Sequence, residues 1–308
     1  MLYNMLTSVL KSRQSSPVPC FCISHATPVV PERFYTDIVA LGDYGRDLPW
    51  HISKIDQFWH EARPLAYSSA GLFAIPKILQ STPDAKVIGI CSYRKVIFPE
   101  PHGPIAAGNF QTEVRLEDVE NLSLSDTLPP DPEHEFFVTT PLFFSDGMIG
   151  QYTKYHILQD LLDYTALGIE LKILTPQQAK DFLLCPILIP GGCDVGFYPR
   201  QWLIETLGRL EVLGRAFILR YRERLLGHDR FQVRALNFLG ERLGSFFVLT
   251  ELMRRYQGEL TFTIGNKLPS GSQTMMEPQS LGFIPPEIFG RMHVFVENYG
   301  SYRGGLAD

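Results

Sequence analysis

Residues Lys86–Phe98 read KVIGICSYRKVIF, and the fold turns on how this stretch is read. Val87, Ile88, Gly89, Ile90 and Cys91 form an unbroken apolar run of strand length, the pattern of a strand buried on both faces. Tyr93, Arg94 and Lys95 follow directly, an aromatic and two fixed cations. Open α/β sheets bind ligands at the carboxyl ends of their strands. A buried strand that empties into Tyr-Arg-Lys is therefore either an anion-binding edge or a strand end solvated by two cations.

Working outward, Val18–Ser24 (VPCFCIS) is a second buried strand, and His25 follows it. A strand ending in Ser24-His25 at the start of an α/β domain is where a nucleotide is received; the alternative for His25 is a loop histidine bonded to backbone. Tyr35–Leu41 reads as a short strand. GDYGRD (Gly42–Asp47) is then loop chemistry, with two glycines and the acids Asp43 and Asp47, which read as solvated loop acids. Tyr67–Gln80 has helical character interrupted by Pro76, and Phe136–Phe144 is a strand broken at Pro141. Gln151–Leu167 repeats apolar residues at spacings of three and four. This predicts one helix that closes at Gly168 and carries Tyr152 and His156 on one face. Thr175, Pro176 and Gln178 are a cap, an N1 proline and a capping-box partner, so a helix starts there. Asp194 sits in a glycine-flanked loop (GGCDVG), and two long helices are expected over Trp202–Leu226 and Arg234–Tyr256. Glu241 and Arg242 lie inside the second, where burial without partners is costly. Residues 257–308 are punctuated by Gly, Pro and Ser, with a strand at Leu260–Ile264, and read as a tail over the domain.

Composition narrows the function classes. The chain has 308 residues and a net charge of −5, which argues against nucleic acid as a partner, because phosphate binding requires a basic footprint. Charge is nonetheless uneven. Glu113–Glu135 is strongly acidic, whereas Arg200–Arg255 holds eleven Arg and no Lys. Such a block decorates helix faces, binds diphosphates or contacts an anionic membrane face. Five cysteines without C-x-x-C spacing predict neither a disulfide framework nor a zinc site. The N-terminal residues lack a basic signal-peptide start, and no apolar run approaches about 18 residues. The expected compartment is the cytoplasm or the inner face of a membrane, with peripheral contact.

Three of these stretches, in this order, resemble a bacterial family of glycosyltransferase-like domains of capsule and O-antigen clusters. The first is the buried strand followed by Tyr93-Arg94, with Ser92 where the family usually has His. The second is QYTKYHILQDLLDY, where Tyr152, His156, Asp160, Leu161 and Leu162 fit in register. The third is Phe238, Gly240, Glu241, Arg242 and Leu243. Arg63–Tyr67 (RPLAY) departs from the family's Asn-Pro-Tyr-like entry, keeping the Pro and an aromatic.

The resemblance implies an α/β, GT-A-like (Rossmann-like) single domain over residues 18–256, with a central mostly parallel sheet and helices on both faces. Residues 1–17 would be a flexible lead and 257–308 an extension packed on the domain. It implies a glycosyltransferase that moves a sugar from a nucleotide-diphosphate sugar to a hydroxyl of a cell-surface polysaccharide or its lipid-linked precursor. The alternative is a catalytically inactive relative that acts as a binding or scaffold subunit. Glu241, Asp194 and His156 compete for the catalytic base. Ser24, His25, Asp43, Tyr93, Arg94 and Lys95 would bind the donor, and Tyr152 and Arg242 complete the site. Most GT-A enzymes hold a divalent metal, Mn2+ or Mg2+, with an Asp-x-Asp motif. None occurs here, so no metal ligand is assigned and Arg94 and Lys95 are expected to neutralise the diphosphate.

Overall fold

The computed structural model describes residues 18–82, 84–106, 111–122, 135–256, 273–275 and 284–300. Strand β1 (Cys20–Ser24) runs parallel to β2 (Asp37–Ala40) on one side and to β3 (Val87–Ser92) on the other, with Ile23 opposite Ser92. β4 (Lys95–Phe98) turns back from β3 through the Ser92–Lys95 pair. KVIGICSYRKVIF is thus a hairpin with Tyr93 and Arg94 at its tip. The run needs Gly89 because a side chain there would collide with the Phe197 ring, 2.7 Å from an added Cβ.

Four short helices lie between β2 and β3: α1 (Ile52–Ile55), α2 (Gln57–Ala66), α3 (Ser68–Leu72) and α4 (Ile75–Leu79). β5 (Thr112–Arg115), β6 (Val138–Thr139) and β7 (Leu142–Phe144) follow, the last two separated at Pro141 as a strand proline requires. Then come α5 (Gly147–Thr153), α6 (Leu158–Glu170), α7 (Pro176–Leu184), β8 (Ile187–Leu188), β9 (Gly196–Pro199), α8 (Arg200–Leu226), α9 (Ala235–Tyr256), β10 (Gln273–Met275) and β11 (Phe289–Val296). The main sheet has the order β2-β1-β3-β4-β11-β5, with β9 on β3 and β6 on β11. The β1–β2, β1–β3, β5–β11 and β6–β11 pairs are parallel; β4 and β9 pair antiparallel. β7, β8 and β10 form a small antiparallel sheet.

Alternate residues of a strand face opposite sides, and here they feed two large cores and a smaller cluster of Ile97, Phe197 and Met292. Phe21, Ile23, Val39, Ile88 and Ile90 join the main core with the helices, including Trp59, Leu207, Phe217 and Leu243. Cys20, Cys22, Cys91 and Val114 face a second core closed by Phe34 and Val119 of two 3-10 turns, Glu32–Phe34 and Leu116–Asn121. Helical cover is therefore uneven, with α-helices on one face and 3-10 turns on the other. The twelve residues between β1 and β2, which include Pro28 and Pro31, leave little room for a crossover α-helix.

Two expectations about element boundaries change. The 151–167 helix is split: α5 ends at Thr153, His156 lies in the turn, and α6 continues through Gly168 to Glu170. The second is the C-terminal boundary at 256. β11 comes from the stretch read as an outer tail, yet it runs inside the sheet between β4 and β5. Its insertion covers the edge that β4 would otherwise expose. The strand expected at Leu260–Ile264 and the lead at 1–17 lie outside the described residues.

The helix start at Thr175 forms as its chemistry dictates. Thr175 Oγ1 accepts from the Gln178 N–H at 3.1 Å, and Gln178 Oε1 accepts from the Thr175 N–H at 3.0 Å. Much of the arginine block holds the helical layer together. Arg224 bonds buried Asp160 at 2.9 Å and also Asp163, Arg220 bonds Glu170, and Arg215 bonds Asp56 at 2.9 Å.

Candidate active site

The carboxyl ends of β1 and β3 open into a cleft of about 560 Å³. His25, Tyr93, Arg94, Lys95, Asp194 and Glu241 all line it. Parallel pairing of β1 with β3 puts His25 and the hairpin tip at the same end of the sheet. Tyr93 meets the His25 ring edge-on, centroids 4.8 Å apart, and the Arg94 guanidinium lies 5.1 Å from the Tyr93 ring. The tip is tied down through its backbone. The Tyr93 N–H donates to Ile23 O at 3.0 Å, and Tyr93 O accepts from Val29 and Val30 at 2.7 and 3.0 Å.

Asp194 is carried by the turn before β9. Gly191 and Gly192 have φ of +84° and +51°, and an added Cβ on Gly192 would stand 2.4 Å from Glu241 O of α9. Glycine lets this turn lie directly on the helix. Glu241 secures it, Oε1 accepting from the Gly191 N–H at 2.8 Å, and the Tyr198 hydroxyl donates to Gly192 O at 2.7 Å from below. Burial, with the neighbouring Glu241 charge adding to it, pushes the Asp194 carboxyl up to about 8, against the opposing pull of Lys95.

The helical wall of the cleft is not among the site residues expected from the sequence. Arg63, Tyr67, Arg230, Arg234 and Asn237 line it. Tyr67 joins α2 to α3 at φ +47°, ψ −126°, a conformation that costs a non-glycine residue on the order of 1–3 kcal/mol. Asn237 Oδ1 braces the junction, accepting from Ser68 Oγ at 2.5 Å, Ser69 N at 3.2 Å and Ser69 Oγ at 3.1 Å. The legible signals were RPLAY itself and the arginine block. Most of that block is held in ion pairs, and Arg230 and Arg234 are its members on the cleft.

Five expected site residues lie off the cleft. Ser24 is buried and bonded to Ala26, one residue before His25. The Asp43 side chain is 94% exposed beside Arg46. His156, Tyr152 and Arg242 are packed behind the helical wall. His156 stacks on Phe238 at 4.0 Å and meets Tyr152 at a tilt, centroids 4.7 Å apart. Its pKa is lowered to about 3, first by burial and then by Arg242, so the ring is neutral at ordinary pH. Tyr152 is fully buried, and burial pushes its phenol up. Arg242 donates to Gln151 Oε1 and Phe238 O, each at 2.9 Å, and lies 3.7 Å from Glu241. The helix break after Thr153 leaves His156 in the turn, where its backbone N–H donates to Tyr152 O at 2.9 Å.

Among the described residues, no three His, Cys, Asp or Glu side chains converge as metal ligands. The cleft's two carboxylates share it with Lys95 and four arginines. This donor set does not fit a dedicated metal site, and no chemical step is derived through one. No helix of the described residues is long and apolar enough to cross a membrane.

No protein-family model matches the sequence, and no curated protein matches it. Among solved structures, the bifunctional glycosyltransferase WbbM, in its apo form, shares the architecture with a TM-score of 0.52 and 12% identity. The fold is glycosyltransferase-like. The similarity covers 84% of this chain and 45% of WbbM, so the chain spans less than half the length of that protein. The α/β architecture expected from the sequence is the one observed.

Proposed function

We propose that the chain is a glycosyltransferase that moves a sugar from a nucleotide-diphosphate sugar to a hydroxyl of a cell-surface polysaccharide or its lipid-linked precursor. The observation that carries this reading is a single cleft, at the carboxyl ends of parallel strands, that pairs Arg94 and Lys95 with Asp194 and Glu241. In the transfer, the acceptor oxygen bonds to the anomeric carbon as the bond from that carbon to the phosphate oxygen breaks. The electron pair leaves with the nucleoside diphosphate, and Arg94 and Lys95 stabilise its charge. For an inverting transfer, Asp194 takes the acceptor's proton. A base works best when its pKa lies near the working pH, and Asp194 is raised to about 8. Glu241 holds the Asp194 turn and raises that pKa. His25 and Tyr93 form the floor at the donor end.

The test is thermal stability against UDP-, GDP-, CMP- and dTDP-sugars, followed by turnover. A ligand at 100 times its Kd adds about 2.7 kcal/mol. A shift with one nucleotide class, lost in Arg94→Ala, together with transfer to a saccharide, supports the reading. Binding without turnover would make the chain an inactive binding subunit, and no shift with any nucleotide would overturn the donor assignment. Activity should survive EDTA; activity abolished by EDTA and restored by manganese would show that arginine and lysine alone do not neutralise the diphosphate.

A further inference from the structure

The cleft carries two groups of cations. Arg94 and Lys95 belong to the sheet, at the tip of the β3–β4 hairpin; Arg63, Arg230 and Arg234 belong to the helical layer. We propose that these three arginines form a second anion subsite that takes a phosphate or diphosphate carried by the acceptor, while Arg94 and Lys95 hold the donor's. The assignment of donor and acceptor rests on the glycosyltransferase reading above.

Three observations support a built site. Arg63 lines the cleft with its Nε inside the protein and no hydrogen-bond partner for that atom among the described residues. Its guanidinium is held between the Tyr67 ring, 5.8 Å away, and Gly42, where an added Cβ would lie 3.6 Å from Arg63 Cζ. Second, the strained Tyr67 lies within cation–π range of both Arg63 and Arg234, 5.4 Å from the latter. Third, Arg234 rests on a column that runs into the core. Its guanidinium lies 5.0 Å from Phe231 and 5.4 Å from Phe238. Both of those rings stack on His156, which rests on Tyr152, with Arg242 5.1 Å from Tyr152. Arginine set against aromatic faces is a favoured partner for two-point contact with phosphate. His156 is thus a positioning residue, acting through Phe238 and Arg234.

The experiment is calorimetric titration of the full chain with inorganic pyrophosphate. Two binding events are expected in the wild type. Saturation with the nucleoside diphosphate that binds should remove one of them. The variant R63Q/R234Q should remove the other, weakening it by about tenfold or more, with nucleotide affinity unchanged. His156→Phe should keep the second event and His156→Ala should weaken it, the two variants being compared at temperatures where circular dichroism shows both folded. A single event, or loss of nucleotide affinity in R63Q/R234Q, would overturn the second subsite. Failure of every nucleotide to bind would instead sink the donor assignment, while two pyrophosphate events, one sensitive to R63Q/R234Q, would still support the subsite. Under turnover, a phosphate-bearing acceptor should have a KM about tenfold below that of its phosphate-free form, and the difference should vanish in R63Q/R234Q. Comparing a prenyl diphosphate-linked sugar with a lipid-free sugar phosphodiester identifies the source, and equal KM for charged and neutral acceptors overturns the proposal.

Discussion

Two His–Tyr–Arg trios in this molecule have nearly the same internal distances and different surroundings. In the first, His25 and Tyr93 are 4.8 Å apart and Arg94 lies 5.1 Å from the tyrosine ring. In the second, His156 and Tyr152 are 4.7 Å apart and Arg242 lies 5.1 Å from the ring. The first lines the cleft at the end of the sheet; the second lies off the cleft, with Tyr152 and Arg242 buried and His156 half-buried. Distance alone therefore does not separate a trio that lines the cleft from one packed behind its wall. Access to solvent and ligand does, because burial withholds charge from the imidazole and hydration from the guanidinium.

The largest effect that would test this contrast lies beside the first trio. Asp194→Asn should lower kcat by about 10²–10⁴-fold. In the wild type, kcat/KM should rise with pH up to about 8 as Asp194 ionises, and the variant should lose that limb. A profile unchanged in Asp194→Asn would move the base to Glu241. Next come the two arginines. Arg94→Ala should weaken nucleotide binding by about 10–150-fold, the worth of a charged hydrogen bond, with little change in Tm. Arg242→Ala should do the reverse, destabilising by about 1–3 kcal/mol as Gln151 and Phe238 O lose their partner. Calorimetry and thermal melts separate the two, and a nucleotide-binding loss in Arg242→Ala beyond its effect on folding would break the contrast.

The half-buried imidazole gives a smaller, signed effect. His156 drops from 6.5 to about 3 on folding, so between these values the unfolded chain binds more protons. Stability from this group is therefore lost as pH falls from 6.5 towards 3. His156→Phe should flatten the acid limb of the denaturation curve, and an unchanged limb would mean the ring is already charged in the fold. Asp194 has the opposite sign. Its carboxyl is raised from 3.8 to about 8, so its contribution declines as pH rises through that window. The Tm gain of Asp194→Asn should therefore be larger at pH 8 than at pH 5. The smallest effect belongs to Asp43, whose side chain is almost fully exposed. Asp43→Ala should stay within about 0.5 kcal/mol in stability and leave nucleotide affinity unchanged.

What the sequence determined by itself was local chemistry. The apolar run before Tyr93-Arg94, the cap at Thr175, the break at Pro141 and the two long helices were all readable, because strand length, capping and proline sterics act over a few residues. An α/β domain was legible from these elements, and its glycosyltransferase-like form from the family resemblance. Tertiary structure alone decided the rest. It inserted β11 from beyond residue 256 into the sheet, where an exposed β4 edge required a partner. It raised Asp194 by burying it in a glycine turn set against Glu241 of a distant helix, and it packed His156 against Phe231 and Phe238. It also turned Arg63, Arg230 and Arg234 towards one cleft. Desolvation and charge proximity depend on which distant residues become neighbours, and a linear pattern of residue types does not carry that information.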